Sequence, residues 1–117
     1  MSEHFSQFII TDIDSVVEEE GRYQISLSQQ RIYRFPNNRG ASVVRRLQVS
    51  PDYRYILWGT YGAEDYLWEL AVLKFEGEDW IIDYDSGITE DVIGYLTEEE
   101  VQGYLVRIMA LPEEDQA

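Results

Sequence analysis

Phe5, Phe8, Ile9, Ile13, Val16 and Val17 recur at the spacing of one helical face. That spacing predicts a helix over residues 3–20, with Gly21 placed to cap its C-terminus. Ser15 and Glu18 also have the form of a capping box, which puts a break near Asp14. After Gly21 the period falls to two: Tyr23, Ile25 and Leu27 alternate with Gln24 and Ser26. Ser28-Gln29-Gln30 reads as a polar turn before a second short run, Arg31 to Phe35, and Pro36-Asn37-Asn38-Arg39-Gly40 is the plainest loop in the chain.

Three more strand segments follow at Val43 to Val49, Tyr53 to Tyr61 and Tyr66 to Phe75. The last of these pairs with Trp80 to Asp85 across the turn Glu76-Gly77-Glu78-Asp79. Helical signals return at the end. Thr89 caps a short helix over Glu90 to Tyr95. Thr97 and Glu100 form a capping box for a longer one that turns Val101, Leu105, Ile108 and Met109 inward. The expected fold is α+β, an antiparallel β-sheet with terminal helices packed on one face. With 117 residues, no repeat and no linker, the chain forms one domain over residues 1–117, and residues 112–117 are expected to be a disordered tail.

Composition narrows the function. Nine Lys+Arg against 23 Asp+Glu give a net charge of −14, so whole-surface binding to nucleic acid or an anionic membrane is not expected. There is no cysteine and one histidine, His4, which removes disulfides, thiolate metal sites, cysteine nucleophiles and most acid–base relays. No complete nucleophile, base and electrophile set is present, so the expectation is no enzyme activity. No run approaches a membrane span and MSEHFSQF lacks the features of a signal peptide, so the expected location is cytoplasmic. The charge lies in blocks: −6 over residues 1–21, +6 over 22–54 and −14 over 55–117. The basic block is expected to fold back on the acidic ones rather than face an anionic partner.

The sharpest chemistry lies in residues 79–91. Strand alternation puts Asp79, Asp83 and Asp85 on one face, where they repel unless a cation lies among them, and the chain then turns at Gly87 and returns Glu90 and Asp91. Converging carboxylates on a flexible loop suit Ca²⁺ better than Mg²⁺. The alternative for Glu90 and Asp91 is a helix-dipole preference, and for Asp83 and Asp85 a solvated strand end. The spacing is not that of an EF-hand: counting from Asp83, Ile88 falls where glycine is needed and Gly94 where a bidentate glutamate belongs. Asp12 and Asp14 form a weaker second candidate, against a reading as a solvated helix face. Glu98-Glu99-Glu100 is explained by helix capping alone.

Asp83-Tyr84-Asp85-Ser86-Gly87-Ile88-Thr89-Glu90-Asp91 and Thr11-Asp12-Ile13-Asp14, in a small acidic cysteine-free chain, resemble the CcbP family of calcium-binding proteins from heterocyst-forming cyanobacteria. The resemblance implies a non-EF-hand protein that buffers cytoplasmic Ca²⁺ and so restrains heterocyst differentiation, with any regulatory protein partner unidentified. The metal ligands expected from the clusters are Asp83, Asp85, Glu90 and Asp91, with Asp12 and Asp14 as the weaker set. The competing expectation is an acidic interaction protein, or nucleic-acid mimic, that occupies a basic partner.

Overall fold

Eleven-residue runs on either side of a loop at residues 35–38 pair along nearly their whole length, Arg39 and Gly40 of the expected loop falling in the second run, because their alternate side chains have two different layers to face. The computed structural model describes residues 3–19, 24–49, 56–88 and 92–112. Within them a 3₁₀ turn over Glu3–Phe8 leads into β1 (Ile9–Glu19), followed by β2 (Gln24–Arg34), β3 (Arg39–Val49) and β4 (Ile56–Gly59). Then come β5 (Trp68–Glu76), β6 (Asp79–Ile82), β7 (Ile93–Leu96) and the helix α1 (Glu98–Met109). All pairings are antiparallel in one seven-stranded sheet of order β1-β2-β3-β5-β6. The sheet forks twice: β4 pairs with the far end of β3, and β7 pairs with the start of β5.

The α+β class is as expected, with one α-helix among the described residues, at the C-terminal end, and a six-residue 3₁₀ helix over Glu3–Phe8 at the other. The core lies between α1 and one face of the sheet, where Val101, Leu105 and Ile108 meet Tyr33, Val43, Leu70 and Val72, all fully buried. Phe5 and Phe8 add their ring edges to Phe35 at centroid distances of 5.8 and 5.3 Å. The opposite face carries a smaller cluster of Ile32, Leu73 and Phe75 with Ile82 against it.

Two helices expected from the sequence are strands. Residues 9–19 of the expected 3–20 helix are β1, paired with β2 from Ile9↔Tyr33 to Glu19↔Gln24, while Gly21 lies outside the described residues. Ile, Thr and Val supply six of those eleven residues. β-branched side chains fit a pleated surface better than a helix, and here a whole partner strand is available. Ser15 and Glu18 pair within that strand, so they cap nothing. Residues 93–95 of the expected second helix belong to β7, which closes against Trp68 and Leu70, while Thr89, Glu90 and Asp91 lie outside the described residues. Ser28-Gln29-Gln30 is the middle of β2 rather than a turn. β6 ends at Ile82, three residues short of Asp85, and Tyr66 precedes β5 in a left-handed turn with φ 60°. Of the Tyr53–Tyr61 segment, Ile56–Gly59 is strand and Tyr53–Tyr55 lie outside the described residues, as do residues 113–117 of the tail.

α1 starts with the expected capping box: Thr97 Oγ1 accepts from the Glu100 N–H at 3.1 Å and Glu100 Oε1 accepts from the Thr97 N–H at 3.0 Å. Its other end is closed from a distance. Asn37 Nδ2, in the loop between β2 and β3, donates to the carbonyls of Ile108, Met109 and Leu111 at 3.0–3.3 Å. Ile108 and Met109 lie in the last turn of α1, where carbonyls lack an intrahelical partner, and Leu111 lies just past its cap at Ala110.

Candidate functional site

The loop that leaves β6 begins with a buried carboxylate. Asp83 N–H donates to Val72 O at 2.8 Å, which continues the β5–β6 ladder one residue and holds the side chain over the sheet. Asp83 is 5% exposed, and its Oδ2 accepts from Arg39 Nη1 at 2.5 Å. Its Oδ1 accepts from the Asp85 N–H at 3.0 Å, so both carboxylate oxygens are engaged. The counter-charge that the sequence demanded for this face is therefore a guanidinium from β3. Arg39 is fixed in turn by Pro112 O, which accepts from its Nε at 3.0 Å.

Beyond Asp83 the loop is organised by short-range bonds. Ser86 Oγ accepts from the Ile88 N–H at 3.1 Å, and Gly87 supplies a φ of 81°. Asp85 and Tyr84 are exposed on its outer side. Glu90 and Asp91 lie outside the described residues, so of the expected quartet the structure places Asp83 and Asp85 together, in different roles.

The weaker pair, Asp12 and Asp14, lies at the far edge of the sheet on β1. Both face the helix side and both are exposed. Asp14 Oδ1 accepts from Gln29 Nε2 at 3.0 Å, and Gln29 Oε1 accepts from Arg45 Nε at 2.7 Å, a polar ladder across three strands. Asp12 stands opposite Arg31 in the register. Asp12, Asp14, Gln29, Arg31, Trp68 and Glu98 line a groove of about 200 Å³ between β1, β2 and the start of α1.

That groove is built on a group the sequence did not single out. The guanidiniums of Arg31 and Arg45 both lie over the Trp68 ring, at 4.6 and 4.1 Å from its centroid. Arg31 Nη2 donates to Glu98 Oε2 at 3.1 Å, and Gln102 Nε2 donates to the same oxygen at 3.1 Å. Burial lowers the Arg45 pKa first and the neighbouring Arg31 charge lowers it further, while Glu98 and Asp14 act the other way. Burial likewise raises the Tyr33 pKa, with Arg31 opposing. The signal available in sequence was the basic block: Arg31–Glu98 and Arg39–Asp83 are its fold-back onto the acidic third block. Glu98, read there as a cap-region acid, is the carboxylate that receives Arg31.

Among the described residues no three carboxylates or imidazoles converge with metal-ligand spacing, and no helix is long and apolar enough to cross a membrane. No protein-family model matches the chain, nor does any curated protein or solved structure.

Proposed function

We propose that the protein is a non-catalytic, non-EF-hand binder of Ca²⁺ that buffers the free ion in the cytoplasm. The observation that carries this reading is Asp85: an exposed carboxylate on a loop pinned at its root by the Arg39–Asp83 pair, with Glu90 and Asp91 following it in the sequence. A carboxylate exposed on a loop anchored at its root suits the variable oxygen geometry of Ca²⁺. Asp83 contributes by setting the loop rather than by offering a free oxygen, since both its oxygens have partners. Asp12 and Asp14 supply a second, weaker anionic point, because the Gln29 amide occupies one Asp14 oxygen without neutralising it. The charge of −14 supports reversible cation binding, and the resemblance to cyanobacterial calcium-binding proteins supports a role in calcium signalling during differentiation.

Calorimetric titration with Ca²⁺ and then Mg²⁺ tests the reading. Saturable heat with Ca²⁺, weaker heat with Mg²⁺ and a marked loss in Asp85→Asn are the expected results. Heat that salt abolishes, equal for the two ions, sinks the proposal and favours an acidic surface for a basic partner.

A further inference from the structure

Among the described residues β6 ends the sheet, and beyond Asp79 it exposes large apolar side chains. Among the described residues it pairs only with β5. The Asp83 N–H to Val72 O bond sets the phase of that ladder, because bonded and non-bonded pairs alternate in antiparallel strands. Ile81 and Asp79 therefore bond inward to Lys74 and Glu76, while the N–H and C=O groups of Trp80 and Ile82 point away from the sheet. Phe75 confirms the phase from the other side, since its N–H donates to Asn38 O rather than to β6. Natural edges are kept short or carry charge, proline or a bulge to discourage pairing, and β6 has four residues and opens on the exposed Asp79. This one carries Trp80, 40% exposed, and Ile81, 52% exposed, with Tyr84 at 53% just beyond.

From this we infer that β6 is a docking edge for an extended, basic segment of a partner protein, which adds to the sheet as a further strand. Main-chain bonds to Trp80 and Ile82 supply affinity and the exposed indole supplies the anchor. Charge selects the occupant. Glu76, Glu78, Asp79 and Asp85 are exposed around the strand, against Lys74 as the one nearby base on β5, and the whole chain is at −14. A second copy would bring the same acids against these, whereas lysines and arginines flanking an extended segment would meet opposite charge. This inference does not rest on calcium binding.

The test uses the full chain and a short peptide alternating lysine and valine, with its glutamate–valine counterpart as control. The expected result is saturable binding of the lysine peptide alone, with amide shifts in the NMR spectrum centred on Trp80 and Ile82. Trp80→Thr, which keeps a good strand former, should weaken binding by about tenfold or more. Trp80→Pro removes the outward N–H as well and should abolish it, provided its amide spectrum retains the native dispersion. Absence of binding, equal binding of the glutamate peptide, shifts centred on β1, or unchanged affinity in Trp80→Thr each overturns the proposal. So does self-association of the free chain, in sedimentation, that Trp80→Thr removes.

Discussion

Arg39 and Asp83 are 44 residues apart in sequence and in direct contact at 2.5 Å, with the aspartate buried and the arginine nearly so. Two charges withdrawn from water together are costly to separate, because removing one leaves the other uncompensated. Asp83→Asn should therefore destabilise the fold by about 3 kcal/mol, read as a lower urea midpoint with an unchanged slope. An unchanged midpoint would mean that the pair contributes nothing to the native state.

Asp85 behaves differently because water already solvates it. Asp85→Asn should leave the calcium-free stability within about 0.5 kcal/mol of the parent. It should also shrink the calcium-induced stabilisation, expected for the parent at about 2.7 kcal/mol at a hundredfold excess over Kd. Thermal melts with and without Ca²⁺ separate the two residues: Asp83→Asn lowers both curves, and Asp85→Asn closes the gap between them. An Asp85→Asn protein with the parent's full gap would move the ion to Asp12 and Asp14.

The Tyr33 hydroxyl is buried without a hydrogen-bond partner, although Gln102 stands beside it. Tyr33→Phe should stabilise the protein by about 1 kcal/mol by removing a desolvated polar group and leaving the ring in place. Its pKa is raised from 10.0, chiefly by burial, so the native state holds this proton to higher pH than the unfolded chain does. The parent should therefore lose stability as pH rises above 10.0, and Tyr33→Phe should flatten that loss. Chemical denaturation across the alkaline range measures both effects.

Asn37→Asp replaces the amide donor with a carboxylate facing the carbonyls of Ile108, Met109 and Leu111. The carboxylate's negative charge then meets the negative end of the helix dipole and the donor is gone, so a loss of about 2 kcal/mol is expected, larger than the roughly 1 kcal/mol of Thr97→Ala at the other end. Equal losses from the two substitutions would show that the remote cap adds nothing beyond an ordinary one.

The parts of the fold that local chemistry dictates were legible. The Thr97–Glu100 capping box, the turn around Gly77 and the strand character of residues 43–49 and 68–75 all depend on near neighbours. β1 was not legible as a strand, because Phe5, Phe8, Ile9 and Ile13 are spaced acceptably for a helix and only the presence of β2 decides. Gln29 and Gln30 resemble a turn for a related reason. Their polarity is used inside the sheet, where Gln29 bridges Asp14 to Arg45 and Gln30 meets Ser42 and Arg46. In the candidate site, Asp83 and Asp85 were read as equivalent, since nothing local distinguishes a carboxylate that will meet a distant arginine from one that will not.

The closure of α1 by Asn37 also orders events in time. The helix is the last element described, and its terminal carbonyls are met by a residue synthesised about seventy positions earlier. Until that stretch leaves the ribosome, Val43, Leu70 and Val72 have no cover from Val101, Leu105 and Ile108. A nascent chain stalled before residue 98 therefore presents an apolar sheet face to solvent, the kind of surface that chaperones engage. Completion of the helix covers that face, and the asparagine latch secures it.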